Sequence, residues 1–187
     1  IQRIRVFLIK HGEFYHPSRI ELDFGSRRRS FVLNVAVSKA GRECLEEEYR
    51  CLGRLGHHPE AGLIPRAYAR GVVKSPNHPD LKMWLGEWFE GFHEFHWSFN
   101  EGKNGPTLAL WNPPAPVNYL NSRQAATIYF QAAALLTHFY DLISFEQIHP
   151  WHHGAGDFVV RLRDDEIDVR LITVRGYQCL LTAPPSK

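Results

Sequence analysis

Residues 148–160 read IHPWHHGAGDFVV, and the stretch gathers the side chains best suited to chemistry. His149, His152, His153 and Asp157 form a nitrogen- and oxygen-donor set of the kind that holds zinc. A catalytic zinc centre needs three such ligands and one open position. The spacing matches no helical HExxH arrangement, and Pro150, Gly154 and Gly156 mark a loop instead of a rigid ligand platform. A second reading needs no ion. Trp151 buries its ring, one or two histidines bond backbone carbonyls, Asp157 accepts backbone amides, and the two glycines supply unusual dihedrals. A metal-dependent hydrolase therefore stands beside a loop that only holds its own shape.

These residues must be positioned by what flanks them. The loop follows LNSRQAATIYFQAAALLTHFYDLI, whose apolar residues run nearly all the way round a helix. Asn121 or Ser122 can cap it. After the loop, DFVVRLR and IDVRLITV read as a β-hairpin. Its turn is expected to span Asp164, Asp165 and Glu166, placing 163 opposite 167 and hence Asp157 opposite Thr173. Upstream, residues 91–118 are rich in Gly, Pro and Asn and read as a long connection between two lobes.

The first ninety residues are built differently. Residues 4–9, 19–24 and 31–37 read as strands. Leu45, Tyr49, Leu52 and Leu55 recur at helical spacing, and Gly56 is placed to end that helix. LIPRAYARGVV and LKMWLGEWFE add two more strands. Arg27, Arg28 and Arg29 form the one basic run, either a solvated hairpin tip or a phosphate contact. Trp84, Trp88, Phe89, Phe92, Phe95 and Trp97 suit core and interface packing, or stacking on a ring-bearing ligand.

Composition limits the class. The chain has 187 residues, 44% hydrophobic and 22% charged, enough to bury a core. A net charge of +2 gives no reason to expect nucleic acid or a membrane surface as partner. Cys44, Cys51 and Cys179 are odd in number, lack metal spacing and come with no signal segment, so a cytoplasmic protein is expected. Cys44 and Cys51 lie on one helical stripe as packed thiols.

The order of elements resembles the kinase-like fold, above all its aminoglycoside phosphotransferase and choline kinase branch. FVLNVAV is similar to the third strand of the small lobe, and EEEYRCLGRL to the helix after it. WLGEWFEGF is similar to the strand entering the hinge, and QAAALLTHFYDL to the helix before the catalytic loop. IHPWHHGAGDFVV and VRLITVRGY fall where that branch carries its His-Gly-Asp…Asn pattern and its metal-binding aspartate. The resemblance implies an α+β, two-lobed fold. Residues 1–90 would form an antiparallel-sheet small lobe with one helix, and 91–187 a truncated helical lobe with a hairpin.

The resemblance also implies a site, and this chain departs from it. Asn34 stands where the family has its lysine. Lys39, five residues on, could substitute for that lysine on a phosphate only by reaching back. Glu48 matches the helix glutamate and is expected to meet Lys39, Arg70 or another cation. Gly12 is alone in the phosphate-covering turn. His152 takes the place of the catalytic aspartate, while Asp157 and Thr173 take those of the metal-binding asparagine and aspartate. Glu90 and Gly91 fall at the nucleotide-contacting hinge, beside His93 and Glu94. The expected function is a catalytically degenerate, pseudokinase-like module that binds a small molecule or a protein. The alternative is an atypical ATP- and magnesium-dependent phosphotransferase with His152 as base; zinc belongs only to the hydrolase reading.

Overall fold

The structure, a computed structural model, describes residues 1–74, 76, 79–99, 102, 105–112, 116–150, 156–164 and 166–181. The chain is mixed α+β and divides into two compact units, Ile1–Glu90 and Gly91–Lys187.

The first unit holds β1 (Arg3–Leu8), β2 (His16–Asp23), β3 (Arg28–Ala36), α1 (Lys39–Leu55), β4 (Ala67–Val73) and β5 (Leu81–Glu87). The strands form one antiparallel sheet in the order β1-β2-β3-β5-β4. The turn into β3 is tight: Phe24 N donates to Arg27 O, with Gly25 at φ +86 between them. A left-handed residue there suits glycine. Arg27 thus lies in the turn, and Arg28 and Arg29 open β3, all three exposed.

Helix α1 begins because the Ser38 side chain accepts from Gly41 N at 2.9 Å, satisfying one amide that a helix start leaves open. It buries Leu45, Glu48, Cys51, Leu52 and Leu55, the i, i+3, i+4 stripe of a surface helix. Each leucine so buried contributes about 2 kcal/mol. Tyr49, expected on this stripe, is only half-buried, and of the two helical cysteines Cys51 is buried but Cys44 is not.

The second unit departs from the helical lobe expected. Among its described residues it has one helix, α2 (Ser122–His138), and seven strands. The stretch expected as a connection folds into a sheet of β6 (Glu94–Phe99), β7 (Pro106–Trp111) and β8 (Asn118–Tyr119). Its glycines and prolines masked a short apolar strand: Leu108, Ala109 and Leu110 are all buried in β7, with Phe95 beside them in β6. Helix α2 starts with a full capping box between Asn121 and Gln124. It is not buried on most sides. Ile128, Ala132 and Leu135 form its buried stripe, while Phe130 stays exposed. Tertiary packing chose one face of a helix whose apolar pattern offered several.

Strands β9 (Glu146–Ile148), β10 (Phe158–Arg163), β11 (Glu166–Leu171) and β12 (Tyr177–Cys179) complete the unit. β10 pairs with β11, and β12 with β9, both antiparallel. Gln131 ties α2 to β11, donating to Ile167 O at 2.6 Å and accepting from Val169 N at 3.1 Å. The hairpin register is one residue tighter than the expected three-residue turn. Arg163 pairs directly with Glu166, and Asp164 has φ 50. Two-residue hairpins require such positive φ, and Asp tolerates it better than most residues. Asp165 lies outside the described residues. No helix among the described residues is long and apolar enough to cross a membrane.

Candidate functional site

Among the described residues, a buried polar cluster in each unit holds a residue the sequence singled out. In the first, β3 and β5 lie side by side with Asn34 opposite Trp84. Both are buried, Asn34 at 4% exposure and Trp84 at 0%. Glu48 comes from α1 and is fully buried against them. Its Oε1 accepts from Tyr15 Oη at 2.9 Å, and its Oε2 from Trp84 Nε1 at 3.2 Å.

Two neutral donors thus bond the Glu48 carboxylate, and Arg70, one of the cations expected there, is engaged elsewhere. Arg70 pairs with Glu46 and lies over the Tyr49 ring, while Lys82 also bonds Glu46, at 3.0 Å. Lys39 is exposed at the first position of α1. Glu48 lies nine positions further along the helix, a rise of roughly 13 Å, which explains why Lys39 cannot serve. Asn34 Oδ1 is buried and accepts no hydrogen bond among the described residues.

The second cluster centres on Asp157, at 1% exposure just before β10. Its Oδ1 accepts from Thr173 Oγ1 at 2.6 Å and pairs with Arg175 Nη2 at 3.0 Å. The tighter register joins the Asp157 carbonyl to Ile172 N at 2.7 Å, yet Thr173 still reaches the carboxylate through its side chain. Arg175 was missed in the sequence. It stands two positions beyond Thr173, the spacing that returns a side chain to the same face of an extended chain. Tyr15 had no such signal, because only the fold carries it to α1.

His149 donates its backbone N–H to Gly176 O at 2.9 Å. A Cβ on Gly176 would come within 2.7 Å of His149 O, so that close approach requires glycine. His152 and His153 lie outside the described residues. No group of three or more His, Cys, Asp or Glu is arranged to hold a metal among the described residues. Gly91 opens the second unit at φ 76, and Glu90, exposed, closes the first. Burial holds the imidazole of His93 below its ordinary titration range.

The aromatic group divides. Trp84 and Phe95 are core. Trp97 is exposed and stacks on Tyr129, with centroids 6.3 Å apart and planes at 14°. Phe92 lies beneath the Arg161 and Arg170 guanidiniums. Arg27, Arg28, Arg29, Ser30, Trp88 and Glu90 line an open depression of about 510 Å³ in the first unit.

Fold and clusters define an α+β chain whose buried carboxylates are engaged by its own side chains. No protein-family model matches it, and none of the curated proteins searched matches it either.

Proposed function

We propose that this chain is a kinase-like domain that no longer transfers phosphoryl groups and acts as a binding or scaffold module. The observation that carries the reading is the pairing of Glu48 with Tyr15 and Trp84, beside Asn34 where the resembling family has lysine. The strand order β1-β2-β3-β5-β4, with one α-helix between β3 and β4, supports the same reading.

Phosphoryl transfer is mostly positioning and charge stabilisation, and it needs a cation on the phosphates and a metal held by acidic oxygens. Asn34 brings no charge. Asp157 is neutralised by Arg175, so a magnesium ion would have to displace a guanidinium already 3.0 Å away. Losing one preorganised electrostatic group commonly costs on the order of a hundredfold in rate. Two such losses within one site need not add simply.

The test is a single-turnover assay with radiolabelled ATP and magnesium or manganese, run beside Asp157→Ala. No transfer or hydrolysis above the buffer control is expected. Turnover that disappears in the variant would promote an ATP-dependent phosphotransferase instead. Thermal shift adds a second reading: a rise with zinc alone would favour a hydrolase built on His149, His152, His153 and Asp157.

A further inference from the structure

The first unit's sheet has β1 at one edge and β4 at the other, and β1 is the edge with the more distinctive chemistry. It pairs with β2, and among the described residues no strand pairs with its other side. Ile9 N donates to Pro17 O at 3.0 Å, and antiparallel partners exchange such bonds at every second residue. Arg3, Arg5 and Phe7 therefore bond inward to β2, and the N–H and C=O groups of Ile4, Val6 and Leu8 point outward. An edge of this kind is a template for another strand.

Its two faces differ in chemistry. On one, Ile4, Val6 and Leu8 are exposed at 59%, 62% and 52%. On the other, Arg3 and Arg5 stand in register with Asp23 and Glu21. Glu21 is already shared by three guanidiniums: Arg5 at 3.1 Å, Arg19 at 2.9 Å and Arg28 at 4.0 Å. Arg3 has no ion pair among the described residues. That face keeps uncompensated positive charge, with Arg3, Arg5, Arg19 and Arg28 set against Asp23 and Glu21.

We propose that β1 docks an extended peptide segment that alternates apolar and acidic residues and adds as a sixth strand. Main-chain bonds to Ile4, Val6 and Leu8 would supply affinity, and alternate side chains the specificity. The partner's apolar side chains would cover the exposed aliphatic face, while its carboxylates would meet Arg3 and Arg5. Charge selects this occupant over a second copy of the chain, whose own β1 would set arginines against arginines. The edge uses none of Asn34, Glu48 or Asp157, so it stands or falls apart from the phosphotransfer question.

The probe is a dye-labelled, acetylated peptide of alternating valine and glutamate, about as long as β1, titrated into the whole chain and followed by anisotropy. Its valine–lysine counterpart serves as control. Saturable binding of the glutamate peptide alone is expected. Val6→Pro removes an outward donor at an edge position where proline is tolerated, and should weaken binding at least about tenfold with an unchanged melting curve. Arg3→Glu should weaken it severalfold. Should Val6→Pro unfold the chain, amide exchange of Val6 in the native protein decides: slow only with the glutamate peptide supports the proposal. No binding, equal binding of both peptides, or a folded Val6→Pro that binds normally overturns it. So does a dimer lost in Val6→Pro, or a Val6 amide already protected without peptide.

Discussion

Removing the Tyr15 hydroxyl is the sharpest test of how the first unit tolerates a carboxylate at 0% exposure. In Tyr15→Phe the ring stays and only the donor to Glu48 Oε1 is lost. Hydrogen bonds to a charged acceptor contribute about 1.5–3 kcal/mol, and stranding a buried acceptor costs the same order. A loss of about 2 kcal/mol is expected, on the order of 10 °C in the melting of a unit this size. Glu48→Gln supplies the control. Against a neutral amide oxygen the same hydroxyl is worth about 1 kcal/mol, so the two substitutions should couple by roughly 1 kcal/mol. Urea unfolding with amide exchange read at β3 and β5 isolates this unit from the other. A Tyr15→Phe cost below about 0.5 kcal/mol, or the same cost in both backgrounds, would refute the view that the Tyr15 hydroxyl holds this carboxylate in place.

Three further outcomes are expected. Arg175→Met leaves the Asp157 carboxylate buried without the cation 3.0 Å from it, and should destabilise by about 3–5 kcal/mol; Asp157→Asn should cost less, and denaturant unfolding ranks the two. Gly41→Ala gains about 1 kcal/mol of helix propensity, but its Cβ would collide with Phe14 O; net destabilisation is therefore expected, and a rise in melting temperature would contradict it. Burial lowers the His93 pKa, so the unfolded chain takes up a proton first as pH drops. The stability His93 contributes is fully present above the ordinary imidazole value of about 6.5 and is lost as pH falls below it toward the folded value. Melting curves from neutral to mildly acidic pH should show His93→Gln flattening that dependence.

Local pattern was enough for much of the first unit. Alternating Val, Ile and Leu in β1 to β3, the Gly56 stop and the Leu45, Leu52, Leu55 stripe are written in short windows, because strand and helix periods are local properties. The Asn121 cap and the hairpin at 158–171 were equally legible. Residues 91–118 were not: composition spoke for a loop, and only pairing with β6 and β8, with Leu108 and Leu110 buried, makes β7 a strand. The one-residue hairpin shift came from backbone dihedrals at Asp164, which residue identity allows but does not demand.

For the clusters the division is sharper. That Asn34 is not a lysine, and that Asp157 and Thr173 belong together, could be read from residue types and hairpin pairing. Which groups satisfy them could not. Glu48 meets a tyrosine 33 positions away and a tryptophan 36 away. A buried carboxylate must find donors, but a linear sequence does not say which of many donors the chain's three-dimensional path will bring within hydrogen-bonding distance. That choice, and the Arg175 guanidinium on Asp157, belongs to the tertiary structure.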